Sequence, residues 1–454
     1  MAFTSINPAT GDEVDRYSLH TDEEVEARLA RAEAAFAANR ERAIAERARR
    51  MQAAADLLEK RSTTYAELMT REMGKPVSQA EGEVEKCARV CRYYAENAAD
   101  FLADKPVATD ATSSYVAYEP LGPVLAVMPW NYPFWQLFRF GAPALMAGNA
   151  VLLKHAPNVT GCALAMEEVM ADAGFEDHEL QTLLVDEDTV GEVIADRRVR
   201  AVTLTGSVGA GKAVARQAAA QVKPTVLELG GSDPFIVCDD ADLEEAASVG
   251  RTARMQNAGQ SCIAAKRFIV DERVADAFTE RLLDEVDALT VGDPMDPMTD
   301  IGPIARADLR EGIHDQVERA IADGALAAAG GHTMDRDGFY YAPTVLTGVE
   351  PGTVAFEEEI FGPVASVVVA DHANHAVELA NDTRFGLGGS IFTEDREKGE
   401  QMARRLEVGC AFVNTMTKSD PRLPFGGIKD SGYGRELSRY GIREFVNTKT
   451  VWVE

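Results

Sequence analysis

Lysine is scarce in this chain. Of its 46 Lys and Arg residues only 12 are lysine, and 74 Asp and Glu oppose them, so the 454 residues carry a formal net charge of −28. A surface this acidic repels phosphate backbones, which excludes general nucleic-acid binding, and anionic membrane leaflets repel it in the same way. Long apolar runs are missing too. No stretch approaches the roughly 18 apolar residues that a membrane span needs. The opening residues, MAFTSINPATGDEVDRYS, have neither the basic start nor the apolar core of a signal peptide. Cysteine is sparse: six residues, at 87, 91, 162, 238, 262 and 410, with no CxxC pair and therefore no disulfide framework. The expected compartment is a reducing cytoplasm, where an important cysteine is reactive rather than bridged. No group of residues has metal-ligand spacing, so no metal is expected.

What is present is an ordinary globular balance, 46% hydrophobic and 26% charged residues. The length suggests about three domains at about 150 residues each. An acid excess alongside scarce lysine points to the cytoplasm of a halophilic organism. In molar salt the Debye length falls to about 3 Å, which screens carboxylate repulsion; in dilute buffer the same repulsion opposes the compact state. Equal stability in dilute buffer and in molar KCl would exclude this reading.

Residues 21–102 read as helices, with apolar positions at spacings of three and four and Thr21 as N-cap. A break falls at Met73-Gly74-Lys75-Pro76. Cys87 and Cys91, four apart on one helix face, read as packing residues. From about residue 114 the texture changes. SYVAYEP alternates like a strand, and VLAVM (124–128), AVLLK (150–154), AVTLT (201–205) and TVLEL (225–229) are short apolar runs typical of buried parallel strands. Helix-like segments 134–147 and 210–220 lie between them, which predicts βαβ units in a doubly wound sheet with ligands at the strands' carboxyl ends. A second α/β pattern starts near Asp242, with helices over 242–258, 273–287 and 306–323 and strands at 267–270, 364–370 and 390–393. The tail EFVNTKTVWVE reads as a closing strand with an open edge.

Four places invite chemistry, each with a plainer alternative. Gly206-Ser207-Val208-Gly209-Ala210-Gly211-Lys212-Ala213 nearly fits the loop of P-loop nucleotide hydrolases, but Ala213 lacks the hydroxyl that would bind Mg²⁺. Glycines between a buried strand and a helix still let backbone N–H groups approach a diphosphate; otherwise they form a tight turn. Cys262, in Asn257-Ala258-Gly259-Gln260-Ser261-Cys262, is either an accessible thiol or a core residue. Glu228 sits inside the apolar run Val226-Leu227-Glu228-Leu229, where burial raises a carboxyl's pKa and makes a general base, unless a buried salt bridge claims it. Asn131, in Pro129-Trp130-Asn131-Tyr132-Pro133, follows a strand's carboxyl end, where its amide could hold an oxyanion or belong to a rigid aromatic turn.

PWNYP (129–133), LLKHAPN (152–158), TLTGS (203–207), LELGG (227–231), GQSC (259–262), EEIFGPV (358–364) and PFGGIKDSGYGRE (424–436) stand in one order over nearly the whole chain. With these motifs the sequence resembles the aldehyde dehydrogenase superfamily. WNYPFWQLFRF (130–140), KHAPN (154–158) and LGGSDPFIV (229–237) bring it nearest to the bacterial succinate-semialdehyde dehydrogenases. The resemblance implies NAD(P)-dependent oxidation of an aldehyde to a carboxylic acid. Cys262 would attack the aldehyde, Asn131 and the Cys262 N–H would hold the oxyanion, hydride would pass to the nicotinamide, and Glu228 would activate the water that frees the acid. The substrate it implies is succinate semialdehyde, with a broad-specificity aldehyde dehydrogenase as the alternative and a P-loop-like nucleotide hydrolase as the alternative of another class.

The same resemblance assigns Lys154 to the adenine-side ribose, Gly206 and Ser207 to the diphosphate with Trp130 nearby, and Glu359 and Phe361 to the nicotinamide end. Pro157 neither repels a 2′-phosphate nor donates to it, and its bulk leans the expectation to NAD over NADP. Trp135 and Arg139, four apart, with Ser419, are the substrate candidates; Arg139 would pair with the far carboxylate of a semialdehyde, unless an internal acid claims it. The implied architecture is α/β: a Rossmann-like cofactor domain (1–105 and 121–230), an α/β catalytic domain (231–435) and a small β oligomerisation element (106–120 and 436–454). A homodimer or homotetramer is expected.

Overall fold

A computed structural model describes residues 1–175 and 178–454, and the counts of strands and pairs refer to those residues. A short antiparallel hairpin, β1 (Ala2–Ile6) with β2 (Glu13–Ser18), opens the chain; its mostly exposed polar second strand offers no alternation to read. Four helices follow: α1 (Asp22–Glu41), α2 (Ile44–Lys60), α3 (Ser62–Met73) and α4 (Val77–Phe101). Thr21 caps α1 as expected. Its hydroxyl accepts from the Glu24 N–H and the Glu24 carboxylate accepts from the Thr21 N–H, so both ends of a capping box are closed. The break at 73–76 is real. Gly74 ends α3 at φ +81°, where an added Cβ would lie 2.6 Å from Pro303 Cγ, so both conformation and space require glycine. Cys87 and Cys91 lie on the buried face of α4 with Val84, Tyr94 and Ala98, as packing residues.

Strands and helices then alternate: β3 (Lys105–Pro106) and β4 (Ser113–Pro120), then β5 (Pro123–Met128), α5 (Pro133–Ala147), β6 (Ala150–His155), α6 (Thr160–Asp172), β7 (Leu180–Thr182), α7 (Glu187–Ala195), β8 (Ala201–Thr205), α8 (Val208–Ala220) and β9 (Thr225–Glu228). The strands from β5 to β9 pair in parallel in the spatial order β9-β8-β5-β6-β7, with their apolar runs buried on both faces. This is the doubly wound arrangement read from the sequence. The strand order reverses between β5 and β8, the place where such sheets open a crevice for a ligand.

A second sheet takes β10 (Asp233–Val237), β11 (Ala265–Asp271), β12 (Leu326–Ala329), β13 (Thr344–Thr347), β14 (Val364–Ala370), β15 (Gly388–Phe392) and β16 (Cys410–Val413) in the order β12-β13-β14-β11-β10-β15-β16, with only the edge strand β12 antiparallel. Helix α9 (Leu243–Met255) links β10 to the turn before β11. The chain then revisits the first sheet: β17 (Gly432–Tyr433) pairs antiparallel with β9. It ends in β18 (Val446–Val453), which pairs antiparallel along the whole of β4, with β3 on the other side of β4. The second edge of β18 has no strand partner among the described residues. No helix among the described residues is long and apolar enough to cross a membrane.

Candidate active site

The carboxyl ends of the first sheet deliver most of the expected residues to one side. Trp130 and Asn131 follow β5, Lys154 and Pro157 lie at the end of β6, Gly206 and Ser207 follow β8, and Glu228 is the last residue of β9. Ser207 caps α8, its hydroxyl accepting from the Ala210 N–H at 3.2 Å, which leaves that helix start facing the crevice. A helix N-terminus there favours an anion. Lys212 does not fold back over this loop: it pairs at 3.4 Å with Asp430 on an exposed surface, unlike the lysine a P-loop hydrolase needs. Lys154 is half-buried, and desolvation lowers its pKa against the pull of Glu187 and Asp186. Pro157 is exposed at the start of a single 3₁₀ turn.

Cys262 rides on an unusual turn. After α9, Asn257 and Ala258 adopt left-handed conformations at φ +58° and +52°, followed by Gly259 at +71°. Non-glycine residues hold such angles only where the surroundings enforce them. Here the buried Arg254 guanidinium donates to the carbonyls of Gly259 (2.8 Å), Ile360 (3.3 Å) and Gly362. Gln79 accepts from the Asn257 N–H at 2.8 Å, and Lys266 donates to the Ser261 and Cys262 carbonyls at 2.9 and 2.7 Å. Burial pushes the Cys262 thiol up to about 12, against the opposing charges of Arg139 and Lys266. At rest it is therefore a thiol, and its activation needs a proton acceptor.

Asn131 is 4% exposed and is tied to this same turn. Its Nδ2 donates to the Gln260 carbonyl at 3.1 Å, and Asn257 Nδ2 donates to the Asn131 and Gln260 carbonyls at 2.8 and 3.0 Å. One Nδ2–H remains for an oxyanion. The other flank of the Asn131 loop is fixed by Glu83 of α4, whose carboxylate accepts from the Phe134 and Trp135 N–H groups at 2.9 Å each. Lys75 neutralises Glu83 in a buried ion pair, and its ammonium lies 3.7 Å from the Tyr132 ring centre. Neither member of this pair, nor Lys266, stood out in the sequence.

Glu228 is buried and forms no ion pair among the described residues. Burial raises its pKa well above the usual carboxyl range; the charge of Glu436 adds to the shift, and Arg139 and Arg435 oppose it. Arg139 is itself only 2% exposed and pairs with Glu436, while donating to Thr205 Oγ1 at 3.3 Å. The internal acid considered for Arg139 is therefore present.

Two cavities meet at Cys262. The smaller, about 250 Å³, is lined by Trp130, Asn131, Gly206, Ser207, Glu359 and Phe361 with Cys262. Trp130 and Phe361 meet edge to face at 5.8 Å. Glu359 pairs with Lys266 at 3.1 Å and accepts from the Gly231 N–H; a Cβ on Gly230 would collide with its carboxylate. Apolar walls, a helix start and a buried-side carboxylate fit the nicotinamide and diphosphate of a dinucleotide. Lys154 and Pro157 line neither cavity and lie beyond, at the end of β6. The larger cavity, about 380 Å³, has Cys262 at one side with Trp135, Arg139, Ser419, Lys86 and Phe425. Among the described residues no group of His, Cys, Asp and Glu is placed to hold a metal ion.

Comparison with known proteins agrees with this geometry. A match to the aldehyde dehydrogenase family spans residues 1–451. The chain is 54% identical over the whole length of both chains to the "probable succinate-semialdehyde dehydrogenase" of Synechocystis sp., and 51% identical over both whole chains to succinate-semialdehyde dehydrogenase 1 of Mycobacterium tuberculosis, each named for NADP(+). Its fold superposes with a TM-score of 0.98, at 38% identity over both whole chains, on succinic semialdehyde dehydrogenase from Streptococcus pyogenes in complex with NADP⁺. These relatives give the expected lean to NAD no support.

Proposed function

The chain belongs to the aldehyde dehydrogenase family, and from that premise we propose that it oxidises succinate semialdehyde to succinate with NADP⁺ as its preferred acceptor. The observation that carries the reading is Cys262 at the junction of the two cavities, one shaped for a dinucleotide and the other open to an aldehyde. The Cys262 thiol gives its proton to solvent water in the larger cavity, the resulting thiolate attacks the aldehyde carbon, and the remaining Asn131 Nδ2–H and the Cys262 N–H hold the resulting oxyanion. A dinucleotide held in the smaller cavity by Trp130, Gly206, Ser207, Glu359 and Phe361 would supply the hydride acceptor. Loss of hydride leaves a thioester on Sγ. Glu228 takes a proton from water, hydroxide adds to the thioester carbon, and the acid leaves as Sγ recovers its electron pair. The test is NADPH formation over an aldehyde panel. Succinate semialdehyde is expected to exceed butanal in kcat/KM by about tenfold or more; equal values would leave the broad-specificity alternative.

The cofactor preference departs from the bulk argument made on Pro157. The ring is exposed rather than wedged into a closed pocket, so its bulk is no bar to a 2′-phosphate and it brings no negative charge against one. Pro157→Glu is expected to lower kcat/KM for NADP⁺ by about tenfold, through like-charge repulsion of about 1.4 kcal/mol, while NAD⁺ changes less than threefold. Steady-state kinetics with each cofactor measures both.

The remaining readings stand on the same footing. The three larger of the four sheets among the described residues support a cofactor domain (1–105 and 121–230), a catalytic domain (231–435) and an oligomerisation element (106–120 and 436–454), with β17 (Gly432–Tyr433) reaching back from the catalytic range to the first sheet. The edge of β18 that has no strand partner among the described residues, with Trp452 and Val453 exposed, supports a homodimer or homotetramer. The acidic surface and unpaired cysteines support a cytoplasm rich in salt.

A further inference from the structure

Recognition of a carboxylated aldehyde needs a cation in the larger cavity, and two residues compete for the part. The Arg139 guanidinium is already paired with Glu436. Lys86 is not: it lies on α4, one turn beyond Glu83, and no carboxylate pairs with it among the described residues. Its ammonium donates to Ser419 Oγ at 2.6 Å and sits 4.1 Å from the Trp135 ring centre, on the same cavity as Cys262. Burial lowers its pKa to about 8, and the charge of Arg139 adds to this, so the ammonium is held without full solvation or a counter-charge. A ligand carboxylate would provide both.

The surroundings extend the case outward. Lys86 and Ser419 also border an adjoining recess of about 400 Å³ that holds Arg89, Arg92 and Arg422. Arg92 pairs with Asp56 and Glu59, and Arg422 pairs with Asp420; Arg89 is exposed and has no ion pair among the described residues. Four cations line the recess against two carboxylates, Glu96 and Asp420, so it is less acidic than a chain of net charge −28 presents at large, and Lys86 lines both it and the larger cavity.

We propose that Lys86, with Ser419 hydrogen-bonded to it, binds the far carboxylate of the substrate while Cys262 takes the aldehyde carbon. The proposal rests on the succinate semialdehyde reading above and names the residue that carries its specificity. It is tested by kinetics of Lys86→Met, Lys86→Arg and Arg139→Met on succinate semialdehyde and on butanal, which has the same four carbons and no carboxylate. Lys86→Met is expected to raise KM for succinate semialdehyde and lower its kcat/KM about 30-fold, the scale of one hydrogen bond to a charged group. Its loss with butanal is expected to be threefold or less, which also shows that it folds, and Lys86→Arg is expected to recover most of the preference. Arg139→Met is expected to impair both aldehydes, because it strips Glu436 of its partner. Equal losses for Lys86→Met on the two aldehydes, or a selective loss confined to Arg139→Met, would overturn the assignment of Lys86 alone. A wild-type enzyme that does not distinguish the two aldehydes would overturn the substrate reading and the Lys86 assignment together.

Discussion

Cys262→Ala is expected to abolish NADPH formation with every aldehyde, a fall in kcat of about 10⁵-fold, on the scale seen when a covalent nucleophile is removed. In the proposed mechanism hydride cannot leave the aldehyde carbon until an adduct has placed negative charge on its oxygen, and Cys262 Sγ, which lines both cavities, is the proposed nucleophile. No other cysteine can substitute, because neither cavity is lined by a second one. The turn itself should survive, since its shape is imposed by Arg254, Gln79 and Lys266 acting on backbone atoms. NADP⁺ binding, followed by tryptophan fluorescence through Trp130 on the smaller cavity, is therefore expected to persist. Activity above about a hundredth of wild type would reject the covalent mechanism.

Glu228→Gln separates the two halves of the reaction. The amide keeps the size of the carboxyl but cannot accept a proton, so steady-state turnover is expected to fall by about 10³-fold, the scale of a lost general base. The first turnover should still release hydride, giving a burst of NADPH close to one per active site and an enzyme whose mass is increased by the acyl group on Cys262. Loss of the burst along with turnover would assign Glu228 to the thiol instead of the water. The pH dependence has a definite sign. Burial holds Glu228 protonated to a higher pH than an ordinary carboxyl, and the base must be ionised to act, so hydrolysis of the thioester rises as pH rises through its pKa. In Glu228→Gln that limb should flatten.

Much of this site was legible because its motifs are local. Gly206 and Ser207 sit between an apolar run and a helix; Asn131 and Glu228 adjoin strand ends that the runs VLAVM and TVLEL announce. What escaped depends on residues that meet only in the fold. Arg139 finds Glu436 through the return of the chain to β9, and Lys75 and Glu83 show their worth only once α5 places its first N–H groups on Glu83. Lys86 resembles any charged helix residue until Trp135 and Ser419 close around it. The left-handed Ala258 carries no signal at all, because alanine disfavours that conformation and only the surrounding hydrogen bonds impose it. The hairpin β1–β2 gives little signal for a related reason: its polar, exposed second strand lacks the alternation by which a half-buried strand is recognised.

The junction at Cys262 also governs traffic. The cavities share Cys262 and Gln136 but otherwise have separate walls, so each reactant has its own door. The smaller cavity therefore offers water a path to Sγ that does not cross the space a carbon chain would fill in the larger one.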